Sequence, residues 1–239
     1  MRWCFKGSKG RRGGKSILNK RIKIFVGGFG SGKTEIAINY SIYCRKSYTK
    51  VAIVDLDIVN PYFRTREARD ALNLKGVEVV APEGKLTYAD IPLISPEIKG
   101  LIQNPDYCLI LDVGGDDVGS VVLGNFRNFI QDFGYEMFLV VNSYRPFTKG
   151  VHQIKQMAQE IENRSRLKIH GIVSNPNLSS QTNEETIKKG HLLIKQVAQK
   201  LEIPVKFICV DERFSKKIRK ESFVEPIFYI KRFMRLPWE

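Results

Sequence analysis

Short apolar runs alternate with helical patterns from residue 22 onward, which predicts an α/β protein: three layers around a mainly parallel sheet of about seven strands. Two observations carry this. Several runs, such as Tyr107–Val113 and Val205–Val210, are nearly continuous in Val, Ile and Leu, as strands covered on both faces must be. The strand, helix, strand order with short connections demands right-handed crossover units. The predicted strands are Ile22–Gly27, Val51–Asp55, Val77–Val80, Tyr107–Val113, Glu136–Asn142, Leu167–Ser174 and Val205–Val210. Helical patterns fall on Lys33–Arg45, Phe63–Leu74, Val118–Asp132, Lys149–Arg164 and Glu184–Leu201. Pro82–Pro105, broken by Gly84, Pro92, Pro96 and Gly100, reads as a loop or broken helix over the sheet edge. The segment Pro226–Glu239 is aromatic and basic at helical spacing. Packing of its apolar side on the domain is the expectation, and an amphipathic membrane-surface helix the alternative.

The 239 residues suffice for one sizeable core. No apolar run approaches the roughly 18–20 residues that span a bilayer. Cys4, Cys44, Cys108 and Cys209 lie far apart without a C-x-x-C pair, which excludes a disulfide scaffold, a zinc ribbon and a Cys-held iron–sulfur cluster as readings. With no secretory apolar region at the start, a reducing cytoplasm is the expected compartment. The net charge of +14 is mostly local: residues 1–23 hold nine basic residues and no acid, leaving +5 for residues 24–239. Residues 1–21 are read as a disordered basic tail and residues 22–239 as one domain. Such a tail touches nucleic acid only weakly and non-specifically. A second reading makes roughly the first 17 residues a mis-annotated leader.

The first predicted strand runs into Gly27-Gly28-Phe29-Gly30-Ser31-Gly32-Lys33-Thr34, which fits G-x-x-x-x-G-K-[ST] at every fixed position. By composition the pattern arises by chance in on the order of one chain in a hundred of this length. Here it also follows a strand and opens a helix. Phosphates need many donors at short range. Glycines turn backbone N–H groups inward and admit phosphate oxygens closely, and the helix start adds its positive end. Lys33 is assigned to the outer phosphates and the Thr34 hydroxyl to Mg²⁺. The dinucleotide pattern G-x-G-x-x-G fails, because Lys33 stands where its third glycine belongs.

A phosphate loop needs a metal-side carboxylate on a neighbouring strand. Leu109-Ile110-Leu111-Asp112-Val113-Gly114-Gly115 supplies Asp112, with two glycines free to swing toward a terminal phosphate. Asp116 and Asp117 read as loop solvation or a helix N-terminus. The second strand ends in Asp55-Leu56-Asp57; carboxylates at i and i+2 share a face if the strand continues. Asp55 is placed near Mg²⁺. Asp57 is placed to orient or deprotonate the attacking water, with a turn cap as its alternative role. Arg64 and Arg66 read as exposed helix residues or as phosphate or partner contacts. His152, His170 and His191 show no ligand spacing and are read as structural or surface residues; Cys108 is read as core.

Taken together, Gly27–Thr34, Asp55-Leu56-Asp57 with Asn60-Pro61, Asp112-Val113-Gly114-Gly115 and Gly171-Ile172-Val173-Ser174-Asn175 resemble the MinD/ParA-like branch of P-loop NTPases, the SIMIBI class, over about residues 22–212. The resemblance implies the three-layer P-loop NTPase fold, ATP with Mg²⁺, slow hydrolysis that switches a protein partner, and a nucleotide-dependent homodimer. It assigns water activation to Asp57, a purine contact to Asn175 and a place near base or ribose to Asp211. The branch's loop carries a lysine near its start that reaches across the dimer; Gly28, followed by Phe29, stands there instead. Arg64 and Arg145 are candidate substitutes. No N-K-x-D follows the sixth strand, only Ser174-Asn175-Pro176-Asn177, which points away from guanine.

The expectation is therefore a Mg²⁺-dependent ATPase acting as a switch. Two rivals stand beside it. One is a P-loop kinase or ATP-dependent ligase with an acceptor pocket built by Pro82–Pro105 and Asn60–Arg66. The other is a module that binds nucleotide without turnover. Apart from the membrane-surface alternative for Pro226–Glu239, no membrane contact is expected.

Overall fold

A computed structural model describes residues 20–57, 68–80, 96–115 and 117–234. Residues 1–19 of the basic tail, Asn60–Arg66, residues 82–95 of the irregular segment, Asp116 and the final residues of the C-terminus lie outside the described residues, while Arg21, placed in the tail from the sequence, is held by the Leu101 and Tyr107 carbonyls.

Eight strands form one sheet: β1 Ile22–Gly27, β2 Lys50–Leu56, β3 Val77–Val80, β4 Tyr107–Gly114, β5 Tyr135–Val141, β6 Gly171–Ser174, β7 Val205–Asp211 and β8 Ile227–Ile230. Their spatial order is β3-β2-β4-β1-β5-β6-β7-β8, and every pairing is parallel. The helices are α1 Lys33–Cys44, α2 Arg69–Asn73, α3 Pro96–Gln103, α4 Asp117–Asn125, α5 Arg127–Phe133, α6 Val151–Ser165 and α7 Glu184–Leu201.

Strand periodicity divides the core in two. Ile22, Ile24 and Val26 of β1, with Leu109, Leu111 and Val113 of β4, face a layer built by α3, α4, α5, α6 and α7. Phe25, Cys108 and Ile110 face the opposite layer, built by α1 and α2. Both faces of the central strands are thus covered, which is why their sequences are almost unbroken in apolar residues.

Three expectations change. The C-terminal segment contains a strand, β8, instead of a helix; its residues pack on the domain as expected, which raises the sheet to eight strands. Phe228 joins Tyr40 of α1 and Phe207 of β7 in a ring cluster, with centroids 6.0 Å and 5.4 Å away. Such pairs contribute about 0.5–1.5 kcal/mol each beyond area burial, and they favour β-pairing over an exposed helix here. The pattern Val118–Asp132 is two helices, because Phe126 leaves helical geometry (φ −94°, ψ 2°) and turns into the core. The strand expected over Leu167–Ser174 is confined to Gly171–Ser174, where it pairs with β5. Of the helix expected over Phe63–Leu74, the described residues hold α2 alone. In the irregular Pro82–Pro105 segment, Pro96–Gln103 is helical.

Beyond β8 the chain returns to α1. Asn39 clasps the backbone of Lys231 in both directions, its Nδ2 donating to the carbonyl at 2.7 Å and its Oδ1 accepting from the N–H at 2.8 Å. Glu35 accepts the N–H groups of Phe233 and Met234. Burial pushes the Glu35 carboxyl up to about 7, against those two N–H groups and Arg232, which pull it down.

Candidate nucleotide site

The phosphate loop lies between β1 and α1, at the carboxyl end of the sheet, where ligands bind in open α/β folds. Its glycines are required by geometry at two positions. Gly32 has φ +86°, and a Cβ there would sit 2.4 Å from Asn175 Nδ2. A Cβ on Gly27 would meet the Val140 carbonyl at 2.4 Å. Gly32 is the N-cap of α1 and supplies no side-chain cap, so the helix's first N–H groups face the loop. Ser31 is buried and, among the described residues, its Oγ has no hydrogen-bond partner. A buried hydroxyl of this kind, beside an uncapped helix end, fits a phosphate oxygen.

The charged residues converge behind the loop. Lys33 Nζ lies 2.5 Å from Asp57 Oδ2, with both side chains buried. Asp55 and Asp112 are register partners on neighbouring parallel strands. Asp55 Oδ1 also accepts the Asp57 N–H at 3.1 Å, so Asp57 turns back toward the loop just past the end of β2. Burial pushes the Asp112 carboxyl up to about 7; Lys33 and the Thr34 hydroxyl draw it down, while Asp55 and Asp57 push it up. Three carboxylates thus crowd one ammonium. The Thr34 hydroxyl with Asp55 and Asp112 forms a set of hard oxygen donors. Mg²⁺ takes one or two carboxylates, waters and phosphate oxygens, so this set suits it.

The segment after β4 touches the loop directly. A Cβ on Gly115 would lie 2.3 Å from the Gly27 carbonyl oxygen and 2.8 Å from Gly28 N. Helix α4 begins two residues later, at Asp117, one of the two places expected for that residue. Across the loop, Asn175 follows β6, and its Nδ2 donates to the Ser31 carbonyl at 2.7 Å. Asn175 therefore positions the phosphate loop with the same amide that was expected to meet a purine.

The structure brings together Gly27, Gly28, Gly30, Ser31, Gly32, Lys33, Thr34, Asp55, Asp57, Asp112 and Asn175. Asp211 stands apart, at the end of β7, three strands along from β1. Its carboxylate is gripped by Arg213, with Nη2 at 2.7 Å from Oδ2. Burial pushes this carboxyl up, but the Arg213 side chain and backbone N–H outweigh it and hold it low. Arg145, named from the sequence as a stand-in for the missing lysine, and His191, read as structural or surface, are also placed. Arg145, in the turn after β5, donates from Nε to the Gly30 carbonyl at 2.9 Å. His191 of α7 contacts Ser174 Oγ at 3.1 Å and Glu225 Oε2 at 2.9 Å, which makes it structural. Cys108 is buried in β4, as expected.

No protein-family model and no curated protein matches the sequence. Solved structures do match. FtsY from Mycoplasma mycoides aligns with TM-score 0.54 and 21% identity over 80% of this chain and 60% of its own. FtsY from Thermotoga maritima aligns with TM-score 0.50 and 21% identity over 80% and 62%. The chain thus spans about three fifths of the length of these structures. The fold is the three-layer α/β P-loop NTPase fold, shared with these two FtsY structures. Among the described residues, no helix is long and apolar enough to cross a membrane.

Proposed function

We propose that this chain is a Mg²⁺-dependent P-loop ATPase of the MinD/ParA-like kind, working in the cytoplasm as a nucleotide-dependent switch on a protein partner. The observation that carries the reading is the buried contact of Lys33 with Asp57 in a phosphate loop lined by Thr34, Asp55 and Asp112. Lys33 offers its charge to the outer phosphates, and in doing so leaves Asp57. Asp57 is then a free carboxylate beside the reacting phosphate, able to accept a hydrogen bond from the attacking water and orient it. Thr34, Asp55 and Asp112 are the residues to hold Mg²⁺, which when bound neutralises charge on the phosphates. Neutralisation also favours the ionised form of Asp112, against the burial that pushes its carboxyl up.

The switch rests on Gly115. Its backbone lies against Gly27 and Gly28, so a shift of the loop is passed to the start of α4. Val118 and Val121 on that helix are partly exposed, and Phe29 of the loop is 71% exposed. These apolar groups around the nucleotide site support a protein partner, a second copy of the chain included. The Ser174-Asn175-Pro176-Asn177 segment supports adenine over guanine. The acceptor-pocket reading draws nothing from the described residues, since its segments lie largely outside them.

The test is light scattering on a sizing column, with the natural protein and D57A, each in Mg-ATP and in Mg-ADP, beside binding of labelled ATP and GTP. A dimer formed only with ATP, and retained by D57A, is the expected result. Absence of nucleotide binding by the natural protein would refute the ATPase reading. ATP binding by a monomer in every condition would refute the dimer alone.

A further inference from the structure

The turn after β5 is built to hold one side chain. Asn142 Oδ1 accepts the Tyr144 N–H at 3.1 Å and the Asn177 N–H at 3.2 Å, and the Asn142 carbonyl accepts the Arg145 N–H at 3.2 Å. Pro146 opens a short 3-10 turn, Pro146–Thr148, whose Thr148 N–H returns to the Arg145 carbonyl at 3.0 Å. Tyr144 is tied to α7 through its hydroxyl, 2.7 Å from the Thr186 carbonyl. The residue so fixed is Arg145. Its Nε grips the Gly30 carbonyl in the middle of the phosphate loop. A Cβ at Gly30, where φ is +73°, would lie 3.0 Å from that Nε and 3.3 Å from Arg145 Cδ, so glycine is what lets the guanidinium come this close.

Nε is one of five donors on the guanidinium. Among the described residues, the other four, on the two terminal nitrogens, have no hydrogen-bond or ion-pair partner, and the side chain is exposed. The charge count of the site leaves a place for them. Lys33 is the one basic residue in Gly27–Thr34 and already faces Asp57, while a nucleoside triphosphate brings several negative charges of its own.

Building on the ATPase reading above, we propose that Arg145 is a catalytic arginine supplied by the same chain. It braces the phosphate loop through Nε and presents its terminal nitrogens to the terminal phosphoryl group of a bound nucleoside triphosphate. In hydrolysis a water oxygen forms the new bond to the terminal phosphorus. The bond from that phosphorus to the bridging oxygen breaks, and the bridging oxygen leaves with the electron pair. Nucleoside diphosphate, inorganic phosphate and one proton result. Negative charge grows on the bridging and terminal oxygens as this bond lengthens, and a planar, permanently charged fork stabilises it most in the transition state. An arginine in this role accelerates turnover by on the order of 10³-fold or more.

The experiment measures affinity for Mg-ADP and for Mg-ADP with aluminium fluoride, a mimic of the transferring phosphoryl group, in the natural protein, R145A and R145K, with thermal unfolding alongside. The natural protein should bind the fluoride complex far more tightly than ADP. R145A should lose that difference while ADP affinity stays within about threefold, and R145K, which keeps the charge without the fork, should recover little of it. Equal losses for the two ligands with a lower melting temperature would make Arg145 a brace and overturn the proposal. So would a natural protein that binds ADP but gains nothing from fluoride. A natural protein that binds no nucleotide would overturn the ATPase reading itself, and this proposal with it.

Discussion

Replacing Lys33 by methionine removes, among the described residues, the one ammonium from a buried group of three carboxylates, Asp55, Asp57 and Asp112. The side chains of Lys33 and Asp57 are 6% and 3% exposed, so water cannot take over the lost partner. Breaking a buried pair from one side costs about 3–5 kcal/mol. For a domain of this size each kcal/mol shifts the melting temperature by roughly 2–4 °C, so K33M should melt about 6–20 °C lower. The partner substitution is not symmetric. In D57N, Lys33 keeps Asp112 within its electrostatic reach, and the crowding of like charge is relieved; a cost below about 2 kcal/mol is expected. K33M/D57N removes both charges and should recover most of the loss. Thermal unfolding in chelator without nucleotide measures all three. The K33M deficit should shrink at lower pH, because without Lys33 the Asp112 carboxyl rises further above about 7 and protonation removes the uncompensated charge. A K33M protein as stable as the natural one, or a D57N protein less stable than K33M, would refute the reasoning. The double variant also gives nucleotide-binding experiments a folded control, which K33M alone does not.

Two other outcomes are expected. G32A forces a left-handed residue, at about 1–2 kcal/mol, and drives Asn175 from the Ser31 carbonyl, at about 1 kcal/mol more; the melting temperature should fall by about 4–12 °C, and an unchanged value would refute the stabilising contact of Asn175 with the loop. Acid should weaken the fold through His191 and Glu225. Burial lowers the His191 pKa, against the pull of Glu225; burial raises the Glu225 carboxyl, but His191, its own backbone and Lys195 outweigh this and hold it low. Both groups favour folding above their unfolded pKa values, and both contributions are lost as pH falls through the lowered ones. H191Q should flatten the decline in melting temperature below about pH 6.5, and an unchanged slope would assign it elsewhere.

The parallel core was legible because burial on both faces leaves continuous apolar runs, and the phosphate loop because its chemistry fixes residue types at fixed spacing. β8 was not. Ile227-Phe228-Tyr229-Ile230 is short, and basic residues that follow complete a helical pattern; only its ring contacts with Tyr40 and Phe207, far away in sequence, decide for a strand. The break at Phe126 depends on one side chain turning inward, which periodicity does not encode. In the site, Lys33, Thr34, Asp55, Asp57 and Asp112 could be read from motif and strand ends. Asn175 could be placed, but not its hydrogen bond, since that depends on how close β6 brings it to Ser31. Arg145 was named only as a stand-in for the missing lysine; its place against the loop of its own chain rests on the 2.9 Å contact to Gly30, which no motif encodes.

The described residues end at Met234, which is buried and bound to Glu35, the residue next to Thr34. Phe233 and Met234 are therefore tethered to the first turn of the helix that closes the phosphate loop. A reporter attached at the C-terminus would turn this tether into a readout of what occupies the loop.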